Sequence, residues 1–394
     1  MSAFPPIPSE FPRPVSGGVD VLVVAGEHSG DQHAAEMVRD LRAARPGLRV
    51  AAFGGPCLRE AGAQLLLDMT VFSAVGIVEV VSAYPFYRRL FSAMRAWTLR
   101  WRPSLVVLVD YPGLNLRLAS ELRAAGLSRQ GGGETAVIQY VSPQLWAWKP
   151  RRRFSMARDL DSVGAIFPFE TDCYADTSLR AAFVGHPFTD PRHVPPVRHD
   201  ADGPVLLLPG SRPKPVRKIF PSLVEAFARY REQDSRRRAV VLHTGGAVHA
   251  ELYRLLAEYG DAAKGIDLRP VGEGQTAACA ALVSSGTMSL SVALAGIPGA
   301  VVYRANPFTW FLGRNVVARG VDRLGIANIL LKRDAWPEFL QSACEPEALA
   351  ARLRACIAEP ETRTRAVADA AELRAMLSAR PGSTPAEWAA SFLP

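Results

Sequence analysis

The feature that most constrains the fold is a regular alternation of short apolar runs with longer amphipathic stretches. Residues 19–25 (VDVLVVA) form an apolar run of strand length, and residues 31–45 follow with helical periodicity. Further apolar runs occupy residues 48–53, 104–109, 136–141 and 162–167. Strand followed by helix at this spacing is typical of a parallel sheet covered by helices on both faces. We therefore predict an α/β protein.

A proline-rich segment divides the alternation in two, and a chain of 394 residues is longer than one core usually supports. Strand-like runs resume beyond it at residues 205–208, 239–244, 281–284 and 299–303, with helices predicted at 221–232 and 288–295. The predicted domains are a flexible tail (1–18), a first lobe (19–186), a linker (187–204), a second lobe (205–345) and C-terminal helices packing back on an N-terminal lobe (346–394). The simplest architecture is two Rossmann-like lobes with parallel sheets facing a central cleft. Ligands are then expected at the loops that follow the strands.

Composition excludes several classes of protein. No apolar run of about 18 residues is free of charge, so no transmembrane helix is predicted, and the proline-rich N-terminus does not have the pattern of a secretory signal. The five cysteines and seven histidines show no metal-ligand or redox spacing, which predicts free thiols in a reducing cytoplasm and no metal or cofactor. The net charge of +8 favours a phosphate-bearing partner. No nucleic-acid-binding motif accompanies it, so nucleic acid is disfavoured.

Two loops of the first lobe carry residues suited to a site. The first strand ends in small and polar residues, where a helix N-terminus accommodates an anion; the candidates are Gly26, Glu27, Ser29, Gly30 and Asp31, with Ser29 as a possible N-cap. Asp110 follows a buried strand and precedes Asn115, and partial burial there would raise its proton affinity, as a general base requires. A tight turn and a turn-capping aspartate are the structural alternatives for these two loops.

The second lobe holds two similar loops. Gly210, Ser211 and Arg212 follow one strand, and a guanidinium pairs well with phosphate oxygens. Ser285, Gly286 and Thr287 lie between another strand and a helix. Together they suit a nucleotide diphosphate, although ordinary turn chemistry also accounts for such residues.

An aromatic stripe marks one predicted helix. Its members recur at helical spacing opposite a face of arginines: Phe86, Leu90, Met94, Trp97 and Trp101. Such a helix either lies on an anionic membrane or packs on its own domain with a solvated basic back. The periodicity of the stripe does not decide between these two interpretations.

The motifs as a set resemble the lipid-A-disaccharide synthase family, over residues 20 to 360. Gly26–Asp31 is similar to the family's GExSGD, and residues 140–148 (YVSPQLWAW) nearly reproduce its YVSPSVWAW. Further motifs in family order are residues 54–56, 75–80, 168–170, 184–187, 208–212, 285–287, 303–304, 307–309, 328–330 and 337–341. The resemblance implies the GT-B fold of glycosyltransferases.

The resemblance also implies an activity. Family members transfer acylated glucosamine from UDP-diacylglucosamine to the 6-hydroxyl of diacylglucosamine 1-phosphate, with inversion, giving the β-1,6 lipid A precursor without a metal. Carried over, Asp110 is the base, Arg212 stabilises the departing diphosphate, and residues 26–31 line the acceptor side. The UDP-sugar site would add Ser291, Tyr303 and Asn328. The resemblance further implies a cytoplasmic protein, peripheral to the inner membrane, with the aromatic stripe of residues 86–101 as its membrane contact. It leaves open a homodimer through the C-terminal helices.

The sequence departs from the family's site motifs in three places. Ser291 and Pro215 stand where the family has glutamates, and Ile326-Ala327-Asn328 replaces its Leu-Pro-Asn. Loss of a charged hydrogen bond costs about 1.5–3 kcal/mol of ligand affinity, so these changes bear on the donor more than on reaction class. The alternatives are a non-catalytic relative that binds the lipid precursor or a partner, a GT-B enzyme that uses a different nucleotide sugar, and a sugar-nucleotide epimerase.

Overall fold

The computed structural model describes residues 10–72, 84–304, 323–378, 380 and 383–394. These residues form two compact units. The second unit is Phe188–Ser378, and the first contains the chain as far as Pro187 together with the C-terminal segment.

The first unit is built on a seven-stranded parallel sheet in the order β3-β2-β1-β4-β5-β6-β7. Its central strands are apolar runs buried along their whole length, as a sheet covered on both faces requires. The strands are β1 (Val21–Ala25), β2 (Val50–Gly54), β3 (Gln64–Asp68), β4 (Leu105–Val109), β5 (Ala136–Tyr140), β6 (Ser162–Ala165) and β7 (Arg180–Phe183).

Helices cover both faces of this sheet, and a separate hydrophobic cluster lies on each face. They are α1 (His28–Ala44), α2 (Pro56–Glu60), α3 (Tyr84–Trp101), α4 (Pro112–Ala124), α5 (Arg152–Asp159) and, from the C-terminus, α12 (Pro385–Ala390). Ala25 of β1 pairs with Val109 of β4, and Val109 pairs with Tyr140 of β5. The loops that follow these three strands are therefore neighbours at one edge of the sheet.

The second unit repeats the design with six parallel strands in the order β11-β10-β9-β13-β14-β15 and a separate pair, β12-β8. The strands are β8 (Val197–His199), β9 (Val205–Leu208), β10 (Ala239–His243), β11 (Ile266–Pro270), β12 (Thr276–Ala278), β13 (Ala280–Ser284), β14 (Gly299–Tyr303) and β15 (Glu338–Leu340). The helices are α6 (Pro213–Arg231), α7 (Gly246–Tyr259), α8 (Thr287–Leu294), α9 (Ile326–Leu331), α10 (Pro346–Ala358) and α11 (Pro360–Leu377).

The structure divides the chain differently from the sequence-based boundaries. The predicted linker, 187–204, contains β8, which pairs with β12 inside the second unit. Of the predicted C-terminal helical region, 346–394, α10 and α11 belong to the second unit, where α10 contributes to a buried cluster. Only the last helix, α12, joins the first unit, where the Trp388 indole donates to the Ser162 hydroxyl at 3.1 Å. The predicted flexible tail, 1–18, also needs correction, because Phe11 is buried against Phe53.

The aromatic stripe of α3 faces the interior, so the prediction that it contacts a membrane is wrong. Leu90, Met94 and Trp97 are buried in the first unit's core, and Phe86 and Trp101 pack against the same cluster. The Trp97 indole donates to the Pro12 carbonyl at 2.9 Å. Packing on its own domain explains the stripe. None of the described helices is both long enough and apolar enough to cross a bilayer.

Candidate active site

Asp110 lies directly after β4, at the carboxyl edge of the first sheet, in a strained backbone conformation. Its φ is +47°, and that of Tyr111 is +43°. Two consecutive left-handed residues, one of them aromatic, are costly and persist only where the surroundings hold them. Strain of this kind is concentrated at functional sites. Asp110 therefore stays the candidate general base predicted from the sequence.

Burial changes the acid strength of this carboxyl. Removal of water raises the pKa of Asp110 above its ordinary value, and a hydrogen bond from the Tyr111 backbone opposes that rise only partly. No cation is among the causes of the shift. A carboxylate that is poorly solvated and not neutralised is a stronger proton acceptor, as a general base requires.

Two buried amide side chains hold the backbone of Asp110 in place. Asn115 Nδ2 donates to the Asp110 carbonyl at 2.7 Å and to Val109 at 3.0 Å, and Gln139 Nε2 donates to the same Asp110 carbonyl at 3.0 Å. We call Asn115 and Gln139 the amide clamp. Asn115 was predicted to line the cleft, but its amide is used within the protein. Gln139 was missed, although a glutamine inside the apolar run of β5 was a visible signal.

The glycine loop after β1 lies against the same place. A Cβ on Gly26 would stand 2.6 Å from the Tyr111 ring, so only glycine admits this ring next to Asp110. Burial and the nearby charge of Glu27 raise the pKa of Tyr111. Gly26 and Glu27 thus adjoin the Asp110 loop within the first unit.

The rest of that loop serves the fold. Asp31 is fully buried, and its carboxylate accepts hydrogen bonds from the amides of Gly55, Cys57 and Leu58 at 2.7, 2.9 and 3.2 Å. It caps the first turn of α2 and is not directed at a ligand, which corrects its assignment to the acceptor side. Helix α1 starts at His28 with Glu27 as its N-cap, so Ser29 is an exposed first-turn residue instead of the cap. Gly30 is buried inside α1.

A second buried carboxyl follows β6, one strand beyond β5. Burial raises the pKa of Glu170 to about 8; the Phe167 amide and the Trp146 side chain oppose the rise, and the charge of Asp110 adds to it. The Phe167 amide donates to Glu170 Oε2 at 3.2 Å. Glu170 is therefore largely protonated at neutral pH, which leaves Asp110 as the carboxyl that ionises. The sequence offered Glu170 only as part of a motif.

In the second unit, two predicted loops lie side by side. Strands β9 and β13 are paired, with Leu208 opposite Val283, and Gly210 lies close to Ser284. Gly210 has a φ of +125°, which favours glycine there. Ser211 and Arg212 are exposed, and the Arg212 guanidinium forms no ion pair within the described part of the chain. A free guanidinium at the carboxyl edge of a parallel sheet is well placed for an anionic ligand.

The two helices that start at these loops differ in the amides they offer. Helix α6 begins with prolines at its first and third positions, Pro213 and Pro215, which lack the N–H that would bind phosphate. Helix α8 begins at Thr287 after Gly286, and both residues are exposed. Helix α8 therefore offers an anion more backbone N–H groups in its first turn than α6 does, and Arg212 supplies charge from the α6 side.

Two residues predicted to bind UDP-sugar are placed elsewhere. Asn328 is fully buried, donates to Trp336 and Glu338, and accepts from the Trp336 amide, so its side chain is occupied by the protein. Ser291 lies inside α8 with 3% exposure, and its buried hydroxyl has no partner among the described residues. The structure does not support direct contact with a ligand by either side chain. Tyr303, at the end of β14, is half-buried.

Glu338 supports the Ser285–Thr287 loop, a role that was not predicted from the sequence. Its carboxylate accepts hydrogen bonds from the amides of Leu324 and Gly325, at 2.9 Å in each case, as well as from Asn328. Ser285 in turn donates its hydroxyl to the Leu324 carbonyl at 3.0 Å. Glu338 therefore fixes the segment against which the Ser285–Thr287 loop rests. The motifs at residues 75–80 and 307–309 lie outside the described residues.

Comparison with known proteins decides between the families that this geometry permits. The sequence profile of the Lipid-A-disaccharide synthetase family matches residues 21–389. The chain belongs to the lipid-A-disaccharide synthetase family. It is therefore a glycosyltransferase of lipid A disaccharide synthesis. The lipid-A-disaccharide synthase of Anaeromyxobacter dehalogenans is 34% identical over 376 residues, 92% of this chain and 94% of the relative. That of Geobacter sulfurreducens is 31% identical over 353 residues, 86% and 88% respectively.

Solved structures agree on the fold. The glycotransferase of kitacinnamycin aligns over 96% of this chain and 100% of its own, with a TM-score of 0.59 and 16% identity. The UDP-GlcNAc 2-epimerase of Neisseria meningitidis, solved with UDP-GlcNAc bound, aligns over 95% and 98% with a TM-score of 0.58 and 10% identity. These likenesses establish the GT-B fold for this member of the synthetase family.

Proposed function

We propose that the enzyme transfers the acylated glucosamine of UDP-diacylglucosamine to the 6-hydroxyl of diacylglucosamine 1-phosphate with inversion, giving a β-1,6-linked disaccharide. The observation that carries this proposal is the partly buried, un-neutralised Asp110 carboxyl, whose backbone the amide clamp holds at the carboxyl edge of the first sheet. Sugar transfer to an alcohol needs such a base, because a hydroxyl is a weak nucleophile until its proton is removed.

In the proposed reaction, Asp110 accepts the proton of the acceptor's 6-hydroxyl as that oxygen attacks the anomeric carbon of the donor. The new C–O bond forms on the face opposite the leaving group, and the bond from the anomeric carbon to the diphosphate oxygen breaks. UDP leaves with the bonding electron pair. Asp110 ends protonated and returns its proton to solvent.

The proposal assigns the leaving group to the second unit. The Arg212 guanidinium offers paired donors for diphosphate oxygens, and the exposed amides at the start of α8 offer more. Charge that develops on the diphosphate during bond cleavage is stabilised by these groups more than the ground state is, which lowers the barrier. Ser211, Ser285 and Tyr303 are proposed as neighbouring contacts of the nucleotide.

Both substrates carry acyl chains, so the proposed place of action is the cytoplasmic surface of the inner membrane. The family relationship supports the chemistry of the substrates, and the net charge of +8 suits an anionic surface. A homodimer through the C-terminal helices stays a proposal.

The test is transfer with defined substrates in detergent. Purified enzyme is mixed with UDP-diacylglucosamine and radiolabelled diacylglucosamine 1-phosphate, and the product is identified by mass spectrometry and by its β-1,6 linkage. UDP-N-acetylglucosamine, which lacks the long acyl chains, serves as the matched donor control. We expect a labelled disaccharide with the acylated donor. Equal use of the unacylated donor, or no product, would overturn the proposed substrates.

A further inference from the structure

Because the apolar stripe of α3 is buried, contact with lipid needs another surface, and the loop after β5 offers one. Trp148 is 53% exposed and Phe154 is 50% exposed. The aromatic side chains that rank among the exposed large hydrophobic residues of the described chain are these two and Tyr253. Two of the three thus lie six positions apart in one short segment. We call residues 146–155, which comprise the end of this loop and the first turn of α5, the aromatic–basic loop.

The charge of the loop has one sign. Residues 141–158 include five basic residues and no acidic one. Lys149, Arg151 and Arg152 line one shallow surface depression together with Pro150 and Ser155. Within the described ranges, the side chains of these three cations form no ion pair, so their charge is available to a partner.

Arg153, the other arginine within residues 146–155, shapes the loop. Arg153 donates from Nε and Nη2 to the two Asp176 oxygens at 2.6 Å each, and from Nη1 to the Pro150 carbonyl at 2.8 Å. Its guanidinium lies 4.3 Å from the centre of the Phe154 ring. Lys149 has a left-handed backbone, with a φ of +51°, and its ammonium lies 5.5 Å from the Trp148 ring centre. The exposed aromatics are thus held beside cations before any partner binds.

We infer that the aromatic–basic loop is a docking surface for an anionic phospholipid bilayer. Tryptophan and phenylalanine rings settle at the boundary between headgroups and acyl chains, while lysine and arginine attract the negative headgroups. Each such cation near the surface contributes about 1 kcal/mol of binding free energy. This inference rests on the proposed function only in that acylated substrates have to be collected from a membrane.

The loop also has a place relative to the site within its own unit. It follows β5, whose end pairs with the end of β4 next to Asp110. In addition, Trp146 of the loop contacts Phe169, beside Glu170. Docking at this loop would therefore bring the carboxyl edge of the first sheet to the bilayer, where the acceptor lipid lies.

The test is sedimentation of the full chain with vesicles of phosphatidylcholine, with and without phosphatidylglycerol. The aromatic variant is Trp148→Ser with Phe154→Ser, and the charge variant is Lys149→Ser with Arg151→Ser and Arg152→Ser. The matched controls are the exposed Tyr253→Ser and the exposed pair Arg236→Ser with Arg269→Ser, all in the second unit.

We expect wild type and controls to bind the anionic vesicles. The charge variant should lose about fivefold in binding for each cation removed, and the aromatic variant about tenfold in total. Unchanged vesicle binding in both variants would overturn the inference. So would loop-dependent binding to a single-stranded oligonucleotide in place of vesicles, since a basic aromatic loop also suits nucleic acid.

Transfer measured in detergent keeps this inference separate from the proposed function. We expect both loop variants to transfer at the wild-type rate when the substrates are dispersed in detergent, because the loop acts by docking. A loss of transfer in detergent that matches the loss of vesicle binding would make the loop part of the substrate site and overturn the docking role. Failure of the wild type itself to transfer would contradict the proposed substrates and leave the vesicle result standing.

Discussion

Among single residues, the two members of the amide clamp have the most direct effect on the position of Asp110. The Asp110 carbonyl accepts from both clamp side chains, and the loop needs two left-handed residues in succession. A misplacement of about 1 Å at a catalytic group lowers rates by as much as a hundredfold. The clamp is therefore a positioning device, and its effect should appear in kcat more than in KM.

Removal of the Gln139 amide tests this role. We expect Gln139→Ala to lower kcat of transfer by tenfold to a hundredfold, on the order of a small displacement of Asp110, with little change in KM. Steady-state kinetics with both substrates provides the measurement. Gln130→Ala, an exposed glutamine whose amide donates to Asp161, is the control and should be near wild type. An equal rise in KM with kcat unchanged would contradict positioning.

Gly26 offers a second test, with a control from the same loop. A methyl group at Gly26 would meet the Tyr111 ring at 2.6 Å, whereas one at Gly30 would meet its nearest neighbour at an ordinary 3.7 Å. We expect Gly26→Ala to lower transfer about tenfold or more by displacing the Asp110 loop, and Gly30→Ala to leave transfer unchanged. Gly30 lies in a helix, so the control should also be slightly more stable. Equal activities in the two variants would be inconsistent with the close approach of Tyr111.

Glu170 makes a prediction about stability and pH. The folded protein keeps its proton up to about pH 8, while the unfolded chain releases it near 4.5. The folded state then binds more protons between these values, so raising the pH removes stability at about 1.4 kcal/mol per pH unit. Glu170→Gln should abolish this slope. Urea unfolding at several pH values is the measurement, and parallel curves for wild type and variant would refute the buried protonated state.

The sequence predicts which residue types could bind a ligand, but it does not show which of their side chains are already hydrogen-bonded within the protein. Asp110 and Arg212 were found because each follows an apolar run at a strand end. Asp31 was predicted to bind a ligand from its loop after β1, and Asn328 from the family resemblance. The side chains of both are instead hydrogen-bonded to backbone groups 8 to 27 residues away. Such partners are fixed by tertiary folding, which single residues do not disclose.

At the scale of elements, apolar runs predicted the central strands well and the edges poorly. Strand β1 was expected at 19–25 and lies at Val21–Ala25, because burial on both faces selects a continuous apolar run. Edge strands such as β3 and β11 are half-buried and carry polar residues, so no continuous apolar run predicts them. Helix α6 begins at Pro213 instead of the predicted residue 221, since prolines fit the first turn and Pro221 is accommodated inside.

Helix α3 shows the limit of periodicity. An aromatic stripe is the same whether it meets lipid or core, and only the fold decides. We expect Trp97→Glu to destabilise the protein by about 3–5 kcal/mol or more, because it removes a buried indole and inserts a charge. Arg89→Glu on the exposed face should change stability by less than about 0.5 kcal/mol. Urea unfolding is the measurement. Unchanged stability of the Trp97→Glu variant would contradict the burial of the aromatic stripe.

At the scale of the whole molecule, the two-unit architecture followed from chain length and the repeated strand–helix order. The domain boundaries could not be predicted in the same way, because the prolines of 187–204 indicate a linker, whereas residues 197–199 pair with β12. The packing of the last helix on the first unit could not be predicted either, since it depends on the hydrogen bond from Trp388 to Ser162 of β6. Asp110 and Arg212, on which the proposed chemistry depends, each follow a strand at the carboxyl edge of their own sheet.

The proposed role of Asp110 as general base is tested most directly by the transfer rate of Asp110→Asn in detergent, with the exposed Asp172→Asn as control. We expect the Asp110 variant to lose at least about a hundredfold in kcat, the usual contribution of a general base. It should keep its affinity for UDP and be no less stable at neutral pH, since asparagine requires no buried charge. Transfer by Asp110→Asn within about threefold of the wild-type rate would contradict the role of Asp110 as general base, because loss of such a base lowers the rate far more than that.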